Sequence, residues 1–201
     1  MMDKSYRTRL KARMLQIAEG VLEADGLAGL QARRIAKEAD CAVGTLYNIF
    51  NGIDGLIIAA NTQTLRAFGR NAEAAMRRSQ GGTLEAQLLA LARAYLDFAI
   101  AHPKRLKAVF DHQMSEAAEV PPDYRADQDQ LFALIEAPLA MHFADEKERA
   151  MAARGMFAAV HGIVLMALDR KLGPFDVKET EGQVRLIVEL MARGLPHASK
   201  R

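Results

Sequence analysis

Three hydrogen-bonding side chains lie close together near the end of the first quarter of the chain. The segment Cys41 to Phe50 reads CAVGTLYNIF and contains Thr45, Tyr47 and Asn48. Hydroxyl and amide groups of this kind bind phosphate oxygens and the edges of bases, and the neighbouring Gly44 lets a backbone approach another molecule closely. A core segment does not need so many polar groups, so these residues predict a surface that binds a polar partner.

The positive charge of the chain is concentrated at its N-terminus. The whole sequence carries a net charge of only +2, but residues 1–13 hold five basic residues and one acidic residue, a local charge of +4. Residues 1–50 sum to +2, so the rest of the chain sums to zero. A basic segment beside a short helical module is typical of a protein that binds a polyanion. A solvated, frayed N-terminus is the alternative interpretation of the same charges.

Composition narrows the class of protein further. Half of the 201 residues are hydrophobic, only six are proline, and helix-forming residues dominate, which predicts an all-α protein. The single cysteine, Cys41, excludes an intramolecular disulfide and fits a reducing cytoplasm. No apolar run follows the basic N-terminus as in a signal peptide, and the most apolar stretch, Met156–Leu168, is shorter than the roughly 18 residues of a membrane span. We therefore expect a cytoplasmic protein with no membrane partner.

Apolar residues recur at helical spacing around the hydrogen-bonding segment. Three helices are predicted, from Tyr6 to Asp25, from Leu30 to Ala39 and from Val43 to Phe50. In the third, the apolar positions Val43, Leu46 and Phe50 face inward and leave the polar residues outside. Two helices joined by a brief turn, the second with an exposed polar face, form a helix-turn-helix.

The rest of the chain also shows helical patterns. Asn51 is expected to cap a long helix, and Pro138 is expected to kink a later one. The predicted helices are Gly52 to Arg78, Thr83 to Ala101, a helix with Leu106, Val109 and Phe110, Gln128 to Phe143, Asp145 to Leu172, and Val177 to Arg193. The sequence thus predicts an all-α protein of about nine helices.

Two of these helices, the one that contains Met156–Leu168 and the last one, are apolar on more than one face. Met156–Leu168 is apolar almost all round, and a helix of this kind buries more than its intramolecular face. A second subunit is one way to cover the other face, and a central position in a monomeric bundle is the alternative. The residues expected at a dimer interface are Val160, Ile163, Val164, Ala167, Val184, Ile187, Val188 and Met191.

Aromatic and methionine residues of the second half are candidates to line an apolar ligand pocket, although residues of these types at helical spacing are more often core. The candidates are Tyr95, Phe98, Phe110, Met114, Phe132, Met141, Phe157 and His161. No spacing of His, Cys or carboxylate residues predicts a metal site. Nucleophile elbows, glycine-rich phosphate loops and paired carboxylates are also missing, so we expect neither an enzyme nor a cofactor.

The segment RRIAKEADCAVGTLYNIFNGIDGL, residues 33–56, resembles the N-terminal DNA-binding domain of the TetR family of bacterial regulators. The most specific positions are Ile35, Ala36, Ala39 and the tetrapeptide Gly44 to Tyr47. The resemblance covers roughly residues 8–56. Two further segments, ARAYLDFAIAHPKRLKAVF (92–110) and FAAVHGIVLMAL (157–168), resemble the WHG-type C-terminal domain of some members, with Val160 where that pattern has tryptophan.

This resemblance implies a two-domain repressor that acts as a homodimer on a palindromic DNA operator. The helix-turn-helix domain would occupy residues 1–50, and a ligand-binding and dimerisation domain residues 51–201, with 51–79 as the connecting helix. A small, largely apolar effector in the second domain would release the DNA. The alternatives are a helical small-molecule-binding protein that does not bind DNA and, less favoured, a hydrolytic enzyme.

The resemblance also implies which residues contact DNA. They are Lys4, Arg7, Arg9, Lys11, Gln31, Arg33, Val43, Gly44, Thr45, Tyr47 and Asn48. At some positions the chain departs from the usual pattern of the family. Ala42 stands where a serine commonly caps the third helix, Asn48 replaces a histidine, and Ile53 replaces a phosphate-binding lysine.

Overall fold

The computed structural model describes residues 3–113, 120–171 and 173–196. Over these ranges the chain forms nine α-helices, a short 3-10 turn at Leu27–Gly29, and no strands, so the predicted all-α class is confirmed. The helices are α1 Lys4–Asp25, α2 Ala32–Glu38, α3 Val43–Phe50, α4 Ile53–Arg78, α5 Leu84–Ala101, α6 Pro103–Asp111, α7 Pro122–Leu139, α8 Glu146–Leu168 and α9 Val177–Arg193.

The helices are divided between two compact units. Unit 1 contains the chain up to Ala67 together with His102–Asp127, and unit 2 contains Phe68–Ala101 together with the chain from Gln128 onward. Unit 1 therefore holds α1 to α3, the first half of α4, α6 and the first six residues of α7. The predicted division after residue 50 falls inside this unit, and it stays a prediction about which residues carry which function.

The core of unit 1 forms where α1, α2 and α3 pack against one another. Met14 of α1, Ile35 of α2 and Leu46 of α3 are fully buried there, and Leu56 at the start of α4 joins them. Within each helix the buried residues recur at spacings of three and four, as Met14 and Ala18 do in α1 and Leu46 and Phe50 do in α3, so each helix turns one apolar face to the common core. Packing of this kind stabilises α2 and α3, which are too short to be stable alone.

Helix α6 also packs on α1 in unit 1. The ring of His102, just before α6, lies 2.9 Å from a carboxylate oxygen of Glu23 near the end of α1. The buried side chain of Asn61 in α4 donates a hydrogen bond to the carbonyl oxygen of Ala108 at 2.9 Å. Polar contacts therefore supplement the apolar core where α6 meets α1 and α4.

Several predicted helix boundaries were wrong. Asn51 does not begin α4; it ends α3 in a left-handed conformation with φ of 58°, which asparagine tolerates better than most residues. Helix α7 begins at Pro122 rather than Gln128 and ends at Leu139 rather than Phe143. Proline is tolerated in a first turn because its missing N–H would have no partner there.

Unit 2 is built on contacts among α5, α8 and α9. One face of α8 buries Val160 and Val164 and one face of α9 buries Val184, while an ion pair of 2.6 Å between Arg93 and Glu181 joins α5 to α9. The apolar stretch belongs to α8, which has 23 residues and is long and apolar enough to span a membrane by length and composition alone. The expectation that this part of the chain is too short for a span was therefore wrong. The bent pair α3 and α4 passes the same test, which core helices of soluble proteins also pass.

Candidate nucleic-acid interface and ligand region

The solvent-facing side of α3 carries the polar residues with which the sequence analysis began. Gly44, Tyr47 and Asn48 are exposed, Thr45 is half-buried, and 47% of Tyr47 is accessible. The spacing of three and four residues from Gly44 places these groups on one side of the helix. The predicted contact Val43 is partly exposed at the first position of α3.

The apolar side chains of α3 anchor the helix in the core of unit 1. Leu46 is fully buried and Phe50 is 7% exposed, and both belong to the core cluster of unit 1. At its N-terminus Ala42 has no side-chain oxygen, so the cap that serine usually provides is absent. At its C-terminus the amides of Asn51 and Gly52 both bond to the carbonyl oxygen of Tyr47.

Basic residues of α1 reach the ends of the other two helices. Nη2 of Arg7 donates a hydrogen bond to the carbonyl oxygen of Asn48 at 3.0 Å, and Nη2 of Arg13 donates to the carbonyl oxygen of Glu38 at 3.2 Å. Nζ of Lys11 lies 5.7 Å from the centre of the Phe50 ring. The N-terminal half of α1 is thereby placed beside the C-terminal end of α3.

The remaining predicted contacts are accessible to a partner. Lys4 and Arg9 are exposed in the first turns of α1, and Nη1 of Arg9 bonds to the hydroxyl of Ser5 at 2.7 Å. Gln31 and Arg33 are exposed just before and within α2. These side chains, with those of α3, provide charged and neutral donors for an anionic partner.

Arg34, the neighbour of Arg33, has a different environment. Its guanidinium contacts the carboxylates of Asp25 at 2.5 Å and Glu38 at 3.1 Å. The hydrogen bond to Asp25, and then that to Glu38, raises the pKa of Arg34. Arg34 therefore joins α2 to the end of α1, whereas the side chain of Arg33 is exposed.

Five of the eight predicted ligand residues lie in one aromatic cluster of unit 2. Ring centres are 5.5 Å apart for Tyr95 and Phe157, 5.6 Å for Phe132 and Phe157, and 5.3 Å for Phe157 and His161. Phe98 enters the cluster through Phe68, a residue of α4 that the sequence analysis missed, with ring centres 5.6 Å apart. Phe68 also lies edge-on to Tyr95 at 5.6 Å.

A polar contact lies within this aromatic cluster. The hydroxyl oxygen of Tyr95 is 2.5 Å from Nδ1 of His161. Burial raises the pKa of Tyr95 and lowers the pKa of His161, because a charged form of either group is poorly solvated there. A neutral phenol and a neutral imidazole, each able to donate or accept, therefore face the surrounding rings.

The other predicted ligand residues lie elsewhere. Phe110 belongs to unit 1 and is exposed, and Met141 is exposed in the turn after α7 because that helix ends at Leu139. Neither belongs to the aromatic cluster. Met114 falls outside the described residues.

The predicted dimer residues divide into two groups. Val160, Val164, Val184 and Val188 are buried by their own chain and offer no surface to a partner, so their assignment to an interface was wrong. Ile163, Ala167, Ile187 and Met191 are partly exposed. The most exposed apolar side chains of α8 and α9 are others, namely Met151, Met166, Leu186 and Leu190.

A domain family described as the tetracyclin repressor-like C-terminal domain matches residues 88–191, just over half of the chain. The chain belongs to the TetR family. As a TetR-family protein it is a DNA-binding transcriptional regulator, and the predicted family is confirmed. The narrower WHG-type assignment stays a prediction.

Individual relatives agree with the family. The uncharacterised HTH-type transcriptional regulator YobS of Bacillus subtilis (strain 168) is 25% identical over 165 residues, 81% of each chain. A protein of unknown function from Rhodococcus sp. RHA1 has the same fold, with a TM-score of 0.73, 24% identity, and coverage of 94% of this chain and 95% of the other.

The multidrug-binding protein EbrR also shares the fold. Its complex with imidazole gives a TM-score of 0.62 at 24% identity and covers 95% of this chain and 97% of EbrR. Its complex with proflavin gives a TM-score of 0.58 at 23% identity, over 90% of this chain and 99% of EbrR. The likeness at this identity is one of fold.

Proposed function

We propose that this TetR-family regulator is a ligand-responsive repressor that binds a palindromic operator as a homodimer. A small, largely apolar effector releases it from DNA. The observation that carries the proposal is the solvent-facing side of α3, where Tyr47 and Asn48 are exposed above the buried anchor Leu46. A helix held in this way presents its polar side chains to a major groove, where some reach the edges of bases and others, such as the hydroxyl of Tyr47, reach phosphates.

Affinity for DNA is expected to depend on exposed cations. Lys4, Arg9 and Arg33 are accessible donors that can neutralise phosphates. Each phosphate contact releases a counterion when the complex forms. It therefore adds about 0.9 to the slope with which log K falls as log salt concentration rises. Binding should therefore weaken steeply with salt, whereas the choice of sequence should depend on α3.

The exposed apolar residues of α8 and α9 support the dimer. They recur every three or four residues and form one continuous stripe on each helix. The α8 stripe is Met151, Gly155, Ala158, the half-buried Gly162 and Met166, and the α9 stripe is Gly182, Leu186 and Leu190. An apolar stripe is costly in water, and a second copy of the same stripe covers it, with small residues allowing close approach of the helices.

We call the two stripes the dimer surface. This dimer surface also accounts for the membrane-like composition of α8. Only 22% of its most apolar window is buried within the single chain. The buried side of the helix faces α5 and α9 of its own chain, and the opposite side is left for the partner. Two subunits related by two-fold symmetry would present their α3 helices to half-sites about 34 Å apart.

The aromatic cluster of unit 2 is the proposed effector region. Its rings, from Phe68 to His161, offer flat apolar faces, and the Tyr95 and His161 pair offers one neutral polar contact. EbrR, a neighbour by fold, has been crystallised with imidazole and with proflavin. A ligand that binds the DNA-free state more tightly must weaken DNA binding by the same factor.

A fluorescence-anisotropy titration with duplexes that cover the DNA flanking the gene for this protein tests the proposal. The expected result is tighter binding to one duplex than to random DNA, and loss of that preference in a Thr45→Ala, Asn48→Ala double variant. A variant of the exposed residue Gln80, outside the helix-turn-helix, is the matched control and should bind like the wild type. Absence of DNA binding at low salt would favour the helical ligand-binding alternative.

A further inference from the structure

We infer that Arg7 and Arg13 act mainly as positioning residues, which fix the ends of the helix-turn-helix, rather than as phosphate contacts. The inference rests on the proposed function, since it concerns how α3 is held for DNA recognition. It gives Arg7 another role than the DNA contact that the resemblance implies, and it adds Arg13, which was not among the predicted contacts. The structure places Arg7 and Arg13 on other groups of the protein.

The last turn of α3 accepts a hydrogen bond from a side chain of α1. The final carbonyl groups of a helix have no partners within the helix and need a donor from elsewhere. The amides of Asn51 and Gly52 both bond to the carbonyl oxygen of Tyr47. This leaves the carbonyl oxygen of Asn48 to accept the hydrogen bond from Nη2 of Arg7 at 3.0 Å.

The same arrangement occurs at the end of α2. The amides of Ala39 and Asp40 bond to the carbonyl oxygens of Ile35 and Lys37, and the amide of Cys41 bonds to Ala36. The carbonyl oxygen of Glu38 accepts from Nη2 of Arg13 at 3.2 Å. Each helix of the motif thus ends on an arginine of α1, and a cation at a helix C-terminus is also favoured by the helix dipole.

Lys11 strengthens the attachment at α3. It lies four residues after Arg7, on the same side of α1, and its ammonium group is 5.7 Å from the centre of the Phe50 ring. Phe50 is the last residue of α3 and is almost fully buried. Two cations of α1 therefore contact the final turn of α3, one through its backbone and one through its terminal ring.

These contacts matter because the two helices have weak ends. Helix α2 has seven residues and α3 has eight, and in the described part of the chain neither receives a side-chain hydrogen bond at its N-cap. Helices this short depend on tertiary contacts. Asn48, a predicted base contact, lies on the turn that Arg7 holds. Loss of Arg7 should therefore disturb the orientation of Asn48 without removing a phosphate contact.

Salt dependence separates the two roles. A phosphate contact contributes about 0.9 to the slope of log K against log salt concentration, so its removal from both subunits lowers the slope by about two. Removal of a positioning residue changes the geometry of α3 but leaves the number of neutralised phosphates nearly the same. It should reduce affinity for the operator more than affinity for random DNA.

The experiment compares Arg7→Gln and Arg13→Gln with Arg9→Gln. Arg9 is the matched control, since it is an exposed arginine on α1 whose side chain bonds to Ser5, one turn earlier in the same helix. Anisotropy titrations from low to high salt give slopes and affinities for the selected operator and for a random duplex. We expect Arg9→Gln to lower the slope by about two on both duplexes.

Arg7→Gln should retain most of the slope, lose about three- to tenfold in operator affinity, and lose less than about twofold on random DNA. Arg13→Gln should behave in the same way. A fall in slope equal to that of Arg9→Gln, with equal losses on both duplexes, would make these arginines phosphate contacts and overturn the inference. A variant that is only partly folded would lose affinity on both duplexes and keep the ratio between them.

Amide hydrogen exchange of the DNA-free protein keeps this test separate from the proposed function. Arg7→Gln should speed exchange of the amides of Asn51 and Gly52, and Arg13→Gln that of Cys41, while Arg9→Gln should change none of them. Unchanged exchange in both variants would contradict the positioning role. A wild-type protein that binds no duplex would refute the proposed function, and the exchange result would still decide whether the arginines hold the helices.

Discussion

The substitution Leu186→Glu tests the proposed dimer at the centre of its apolar stripe on α9. Leu186 is 58% exposed in the single chain, and it lies four residues from both Gly182 and Leu190 on the same side of the helix. In a two-fold dimer this side would face its own copy. A carboxylate at this position would lie in an apolar contact, while in a monomer it would be solvated.

The size of the effect follows from the exposed fraction. Complete burial of a leucine side chain contributes about 1.5–3 kcal/mol, so covering the exposed 58% of Leu186 contributes about 0.9–1.7 kcal/mol per copy. Symmetry doubles this to about 1.7–3.5 kcal/mol per dimer. That range corresponds to a dissociation constant weakened by about 15- to 300-fold. Desolvation of the introduced carboxylates adds to the loss, so about 15-fold is a lower bound.

Sedimentation equilibrium over a range of concentrations measures the effect. Val177→Glu is the matched control, because Val177 is 39% exposed on the same helix but nine residues away, on the opposite side. A glutamate in the first turn of α9 is also favourable to the helix dipole. Equal association of Leu186→Glu and wild type would refute the dimer surface, as would equal weakening by both variants.

Three further predictions concern other parts of the molecule. Tyr47→Ala should lower affinity for operator and random DNA alike, by about two- to tenfold as expected for one hydrogen bond to phosphate; a gel-shift loss confined to the operator would argue against this. Gly55→Ala should lower the free energy of unfolding by about 1–3 kcal/mol, because its new methyl group would overlap the carbonyl oxygen of Phe50; an unchanged melting temperature would disprove the overlap. Burial lowers the pKa of His161 in the folded state below its ordinary value of about 6.5, so stability is full above that value and falls as pH decreases towards the folded-state pKa. The melting temperature of His161→Gln should therefore fall less between pH 7 and pH 5 than that of the wild type, and parallel curves would rule out this contribution.

Local patterns in the sequence were sufficient for the helix-turn-helix. Leu46 and Phe50 recur at a spacing of four and are buried, which leaves Tyr47 and Asn48 outside. A short helix on a small core has only one way to bury two large apolar residues, so periodicity determines its orientation. For the same reason the bounds of α3 and α9 were predicted correctly.

Helix ends were harder to predict because one residue type serves at both ends. Asparagine is favoured as an N-cap and also tolerates the left-handed conformation at a C-terminus. Asn51 lies between two helices and serves as the C-cap of α3. Pro122 is equally ambiguous, since proline occurs both in loops and in the first turn of a helix.

The buried face of α8 could not be derived from periodicity, because apolar residues occur all round this helix. The β-branched residues Val160 and Val164 form the intramolecular side, whereas Gly155 and Ala158 lie on the exposed side. Packing against α5 and α9 decides between these sides, and the sequence does not give that packing. The bond from Arg7 to Asn48 connects residues 41 positions apart, a relation that no local pattern predicts.

Selection of duplexes from a random pool bears most directly on DNA recognition through α3. The wild-type protein should enrich a two-fold-symmetric sequence whose half-sites lie about one helical turn, or a multiple of it, apart. The Thr45→Ala, Asn48→Ala variant should lose this enrichment while keeping salt-dependent binding to random DNA. Enrichment of no sequence by the wild type, or of the same sequence by the variant, would contradict recognition through the exposed side of α3.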